Sequence, residues 1–173
     1  MADGNSQKNA RRQAREQVFG LLYETEFHEG ETPERILERA AEDGERELDV
    51  RNPYLRSTYL GVMMHIDEID ALIGRFAKGW KTNRLSRVSR AILRLGTYEL
   101  KYAKGVPAVV AINEAVELTK RFDEPRARAF VNGVLNAVKN AGPEDIPPVE
   151  APAEPDAADA EAVSEASFGT DAD

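Results

Sequence analysis

Residues 84–104 read Arg-Leu-Ser-Arg-Val-Ser-Arg-Ala-Ile-Leu-Arg-Leu-Gly-Thr-Tyr-Glu-Leu-Lys-Tyr-Ala-Lys. Leu85, Val88, Ile92, Leu95 and Tyr102 recur at three, four, three and seven, which lays them along one face of an α-helix. Beside that seam Arg84, Arg87, Arg90 and Arg94 recur at three, three and four. The helical test also succeeds for Val18, Leu21, Leu22 and Tyr23, for Leu55, Tyr59, Val62, Ile66, Ile69 and Ile73, and for Val131, Val134, Leu135 and Val138. The longest alternating pattern runs from Val106 to Val110, and Pro107 spoils it. The fold class is therefore all-α.

Working outward, Pro33, Pro53, Pro107 and Pro125 each stand at the start of a helical pattern, where a missing N–H costs little. Thr32 and Asn52 precede two of them as N-caps, and Asp123 is placed to cap the last helix. The predicted helices span 9–28, 33–45, 53–78, 84–104, 107–122 and 125–140. Six helices with short connections pack most economically as two three-helix bundles side by side. Gly20, Gly61, Gly96 and Gly133 fall inside these helices at about 1 kcal/mol each relative to alanine, a cost that close helix crossings would offset.

The 173 residues, 42% of them apolar, suffice for one domain with a real core, placed at 1–141. Residues 142–173 contain five of the nine prolines and little to bury, and read as a disordered acidic tail. From Pro143 onward there are ten acidic residues and no basic one, so residues 1–142 carry 23 basic against 21 acidic side chains, a net of +2. The overall charge of −8 is thus a property of the tail. Within the body the signs segregate: residues 24–74 hold 14 acidic and 5 basic side chains, whereas 75–104 hold nine basic and only Glu99. Such a positive region points to nucleic acid as partner. With no cysteine, a disulfide scaffold, a thiolate zinc site and a Cys nucleophile are excluded, and a reducing cytoplasm is the natural setting. No apolar run approaches the roughly 20 residues of a bilayer span.

Nothing argues for catalysis, a metal or a cofactor. His28 reads as a cation at the end of the first helix and His65 as a partly buried polar group. None of the twelve glycines builds a phosphate-binding loop. The arginines are different. Arg11, Arg12 and Arg15 open the first helix, and the stripe from Arg84 to Arg94 lacks the acidic partners at spacing four that a merely solvated face carries. A guanidinium grips phosphate with two N–H groups and also stacks on a base. Tyr23 and Phe130 are the aromatic candidates for stacking, although periodicity alone favours the core for both. Trp80 reads as an anchor between the two halves. Asn113 and Asn132 lie amid apolar helical residues and are expected to bond neighbouring backbone, with Glu114 joining that network or facing a partner.

Four motifs together resemble the NusB transcription antitermination factors. They are Ala10-Arg11-Arg12-Gln13-Ala14-Arg15-Glu16 followed by Leu21-Leu22-Tyr23, Arg90-Ala91-Ile92-Leu93-Arg94-Leu95 with Tyr98-Glu99-Leu100, Val109 to Lys120, and Phe130-Val131-Asn132-Gly133-Val134-Leu135-Asn136. They fall in family order across about residues 9–140.

The resemblance implies two three-helix bundles that bind boxA RNA, the leader element of ribosomal RNA operons. The implied partners are NusE, a small ribosomal-subunit protein, and an RNA polymerase elongation complex with other Nus factors. It carries Arg11, Arg12 and Arg15 over as RNA contacts, with Tyr23 and Phe130 beside them. It sets Arg84, Arg87 and Ser89 on the surface bordering RNA and NusE, and makes Glu99 and Glu114 candidates to touch the partner. The chain departs from some relatives at Ser89 and Arg126, where they have acidic residues. Two rivals remain. An RNA methyltransferase carrying such a domain would need a βαβ segment and nucleotide-binding glycines that this chain lacks; a helical adaptor binding only protein would show no salt-dependent RNA binding. The sequence leaves open whether the free protein is a homodimer that hides the arginine face.

Overall fold

Proline and a capping side chain set where the first two inter-helix turns end. Thr32 Oγ1 accepts the Arg35 N–H at 3.3 Å ahead of Pro33, and Asn52 Oδ1 accepts the N–H groups of Tyr54 and Leu55 at 3.0 and 3.4 Å ahead of Pro53. The computed structural model describes residues 3–77 and 85–146. Its helices are α1 (Asp3–Thr25), α2 (Pro33–Glu42), α3 (Pro53–Met64), α4 (Ile66–Phe76), α5 (Arg87–Lys101), α6 (Ala108–Phe122) and α7 (Ala127–Asn140). No strand occurs among the described residues. A 3₁₀ turn follows at Pro143–Asp145, where Asp145 pairs with Arg75 of α4 at 2.7 Å. The acidic tail expected over 142–173 otherwise lies outside the described residues, as do Trp80 and Arg84.

Two bundles form, α1 to α3 and α5 to α7, but the third predicted helix is broken between them. At His65 the backbone leaves helical geometry (φ −105°, ψ 17°), and its N–H is shared by the carbonyls of Gly61 and Val62. Each half keeps a helical period, which is why the sequence reads as one helix. The halves serve different bundles, however. Leu55, Tyr59 and Val62 are buried on α3, which packs on α1 and α2, whereas Ile69, Leu72 and Ile73 are buried on α4, which packs on α5 and α7. A straight helix could not turn one stripe toward both.

Helix α5 is the shared element. Ala91, Ile92, Leu93 and Leu95 are all buried, so the single seam of the sequence reading widens to more than one face, meeting α6 and α7 on one side and α1 and α3 on the other. Both bundles consequently share one continuous apolar core. Two further sequence expectations shift. Asp123 ends α6 rather than capping α7, and Pro125 lies in the turn ahead of α7, whose first residue is Ala127. α1 begins at Asp3 rather than at residue 9.

The four glycines singled out in the sequence divide into two pairs. A Cβ at Gly61 would overlap the Tyr98 ring, and one at Gly96 would lie 2.9 Å from Leu135 Cδ1, so both mark close crossings. Gly20 and Gly133 face open space, and no crossing offsets their cost. Gly61→Ala is accordingly expected to destabilise by about 1–3 kcal/mol, and Gly20→Ala to stabilise by about 0.4–1 kcal/mol. Urea denaturation of the two variants checks the opposite signs.

Candidate nucleic-acid interface

The three N-terminal arginines lie within five residues of α1 but differ in their surroundings. Arg11 is exposed, its guanidinium 4.2 Å from the centre of the Tyr54 ring. Arg12 is exposed and donates from Nε and Nη2 to the Glu114 carboxylate of α6 at 3.1 and 2.9 Å. Arg15 is only 4% exposed. It donates from Nε and Nη2 to Glu99 of α5 at 2.7 and 3.0 Å, and Glu99 is 2% exposed. The Tyr54 hydroxyl completes the cluster by donating to Glu99 Oε1 at 2.8 Å.

The burial of this cluster corrects two expectations. Arg15 is not presented to RNA, and Glu99 is not presented to a partner; together they tie α1 to α5 inside the protein. Burial pulls the Arg15 pKa down, but the hydrogen bonds and charge of Glu99 outweigh it, so Arg15 is held above its usual value. Burial first, then the Glu99 charge, pushes the Tyr54 phenol well above the tyrosine range, so it remains a donor.

The helix-five stripe does have acidic partners, supplied across helix boundaries rather than at spacing four. Glu26, in the turn just after α1, receives Arg87 at 3.4 Å and Arg90 and Arg94 at 3.0 Å, and Asp70 of α4 takes a two-pronged bond from Arg94 at 2.8 Å. Arg90 and Arg94 thus stitch the bundles together. Arg87 stays exposed, stacked over Phe27 at 4.5 Å from the ring centre.

Tyr23 is on the surface, not in the core that its periodicity suggests, and its ring meets Phe27 edge-on at 5.2 Å. Phe27 and Phe122 are exposed aromatic residues that the sequence reading missed. Arg121 lies 5.0 Å above the Phe122 ring and pairs with Glu16 across the α1–α6 valley. The intervals of four that join Phe19, Tyr23 and Phe27 were the available signal for Phe27. Phe130 is half-buried and lines a concavity with Leu85, Ser86, Ser89, Asp123 and Arg126. Ser89 is buried there, and both Ser86 and Ser89 donate to Asp123 Oδ2. The carboxylate that the resemblance places at position 89 is therefore supplied beside it by Asp123.

Asn113 and Asn132 are exposed, which corrects the expectation that they tie helices together; Asn132 only accepts from Asn136 within α7. His28 stands near Glu24 and Glu31 at 3.8 and 3.5 Å, and His65 stacks on Tyr102 at 4.1 Å. Among the described residues, no group of three or more His, Asp or Glu side chains is placed to hold a metal ion, and no helix is long and apolar enough to cross a membrane. What remains outward-facing is one flank of α1: Arg11 and Arg12 near its middle, and Tyr23 near its end with Phe27 and Arg87 just beyond. Arg12 and Tyr23 are about 16 Å apart along the helix axis. Cations and planar rings so arranged can hold phosphates and bases of one strand.

Comparison with known proteins agrees with this reading of the fold. The family model for the NusB family matches residues 12–140. The transcription antitermination protein NusB of Myxococcus xanthus is 42% identical over 133 residues, spanning 75% of this chain and 94% of that protein. The Bacillus subtilis protein of the same name is 38% identical over 130 residues, spanning 75% and 95%. Among solved structures, T. maritima NusB matches with a TM-score of 0.66 at 37% identity, covering 78% of this chain and 95% of that one. A chain in the crystal structure of antitermination factors NusB and NusE in complex with dsRNA matches with a TM-score of 0.66 at 30% identity, covering 76% and 97%. Since the matches run through nearly the whole helical body, from the α1 arginines to the end of α7, the chain belongs to the NusB family.

Proposed function

We propose that this protein is a transcription antitermination factor that binds boxA RNA of ribosomal RNA operon leaders jointly with NusE. In this reading it works without catalysis, in the cytoplasm, within an RNA polymerase elongation complex that includes other Nus factors. The observation that carries the reading is the outward flank of α1, with Arg11 and Arg12 exposed at one end and Tyr23, Phe27 and Arg87 at the other. Support comes from the solved relative whose chains are named NusB and NusE with dsRNA. Arg11, Arg12 and Arg87 then hold phosphates while Tyr23 stacks. Arg84 joins them by the family pattern, and Phe130 borders the site.

NusE is assigned to the concavity between α5 and α7, where Phe130 offers apolar surface and Asp123 and Glu124 offer negative charge to a basic ribosomal protein. Two cationic proteins sharing one RNA bind cooperatively, because the RNA screens their repulsion and each completes part of a composite site. Saturating NusE is expected to raise the affinity for a boxA RNA at least about fivefold, a coupling of roughly 1 kcal/mol. Fluorescence anisotropy of labelled RNA with and without NusE measures this. Equal affinities in the two series would favour a protein-binding adaptor instead.

A further inference from the structure

Two exposed cations of the proposed RNA face share one arrangement. The Arg12 side chain is 58% exposed, yet the Glu114 side chain it holds is only 15% exposed; Arg87 is 55% exposed above Glu26 at 10%. In both pairs the carboxylate lies inward and the guanidinium outward. Arg12 grips Glu114 through Nε and Nη2, and Arg87 meets Glu26 through Nε. Nε faces the carboxylate each time, hydrogen-bonded in Arg12 and as a 3.4 Å ion-pair contact in Arg87, which leaves the edge between the two terminal nitrogens to another ligand. That edge is the one that forks onto a phosphate.

We propose that Glu114 and Glu26 are positioning residues for RNA, rather than contacts for a partner protein: each holds an arginine by its Nε side so that the terminal edge is aimed outward at a phosphate. The inference rests on the RNA-binding reading of the α1 flank. It carries a sign that separates it from simple electrostatics. Removing a carboxylate near a polyanion raises the local positive charge, and charge alone then tightens binding. An arginine without its carboxylate, however, is a long mobile side chain that each phosphate must immobilise afresh. The terminal edge lies closer to the phosphate than the carboxylate behind it, and exposed charges are screened by salt, so orientation outweighs the lost repulsion.

The test uses the full chain and a boxA RNA, with affinity measured across a salt series and a thermal melt of each variant. Glu114→Ala is expected to weaken RNA binding about three- to tenfold, despite the less negative protein. The slope of log affinity against log salt should shrink by about 0.7 as one phosphate contact is lost. Glu114→Gln still accepts from Arg12 Nε and should keep part of the affinity, and Glu26→Gln should show the same sign. In an Arg12→Ala background, Glu114→Ala should add nothing, since the two act as one unit. Tighter RNA binding by Glu114→Ala would overturn the proposal and make Glu114 a competing anion. If Arg12→Ala weakens binding while Glu114→Ala does not, the positioning role alone fails. If Arg12→Ala itself leaves RNA affinity unchanged, the RNA-binding reading of this flank fails first.

Discussion

Replacing Arg11 and Arg12 together with alanine is expected to weaken boxA RNA binding by about 3–6 kcal/mol at modest salt, at about 1.5–3 kcal/mol for each charge-assisted contact. The helices should remain intact. Both side chains lie outside the core, and what they contribute to stability is small. An exposed ion pair such as Arg12 with Glu114 is worth about 0–1 kcal/mol, and the stacking of Arg11 on Tyr54 about 0.5–1 kcal/mol. Anisotropy titrations paired with circular dichroism melts check both halves. Unchanged affinity with intact helices would move the RNA site elsewhere.

Arg15→Ala should fail differently, by unfolding rather than by loss of RNA contact. Glu99 is buried and receives Arg15 at 2.7 and 3.0 Å, so removing the guanidinium strands a carboxylate with only the Tyr54 hydroxyl as an observed side-chain partner. Breaking one side of a buried pair costs about 3–5 kcal/mol, which for a domain of this size lowers the melting midpoint by about 10 °C or more. Replacing both charges at once with Arg15→Met and Glu99→Leu should recover much of that loss, because no uncompensated charge remains. Scanning calorimetry of the single and double variants decides it. A full-stability Arg15→Ala protein that no longer binds RNA would return Arg15 to the surface role that its motif suggests.

Those two outcomes separate neighbours that a single motif presents as equivalent. Arg15 is in phase with Val18 and Leu22, three and seven residues on, so its inward direction was legible from spacing alone. Its partner Glu99 was not, because nothing local joins positions 84 residues apart. The same limit explains the arginine stripe: counting carboxylates at spacing four cannot see Glu26 just past α1 or Asp70 on α4, which neutralise it from other elements. The caps at Thr32 and Asn52 could be read because the donor and acceptor are within three residues of each other. The break at His65 could not, since both halves keep a helical period and only the second bundle pulls α4 out of line. Phe27 and Phe122 were hidden for a related reason. An aromatic residue at helical spacing reads as core, and only the packed structure shows that the face carrying them meets solvent.

The central claim is that RNA lies along the outward flank of α1, from Arg11 to Tyr23 and on toward Arg87. Photocrosslinking of a 4-thiouridine-substituted boxA RNA to the protein, in the presence of NusE and followed by peptide mapping, tests it most directly. Crosslinks are expected within residues 10–27 and in the segment bearing Arg87, and they should disappear from residues 10–27 when Arg11 and Arg12 are alanine. Crosslinks confined to the acid-rich α2 face, or unchanged in the double variant, would contradict the account.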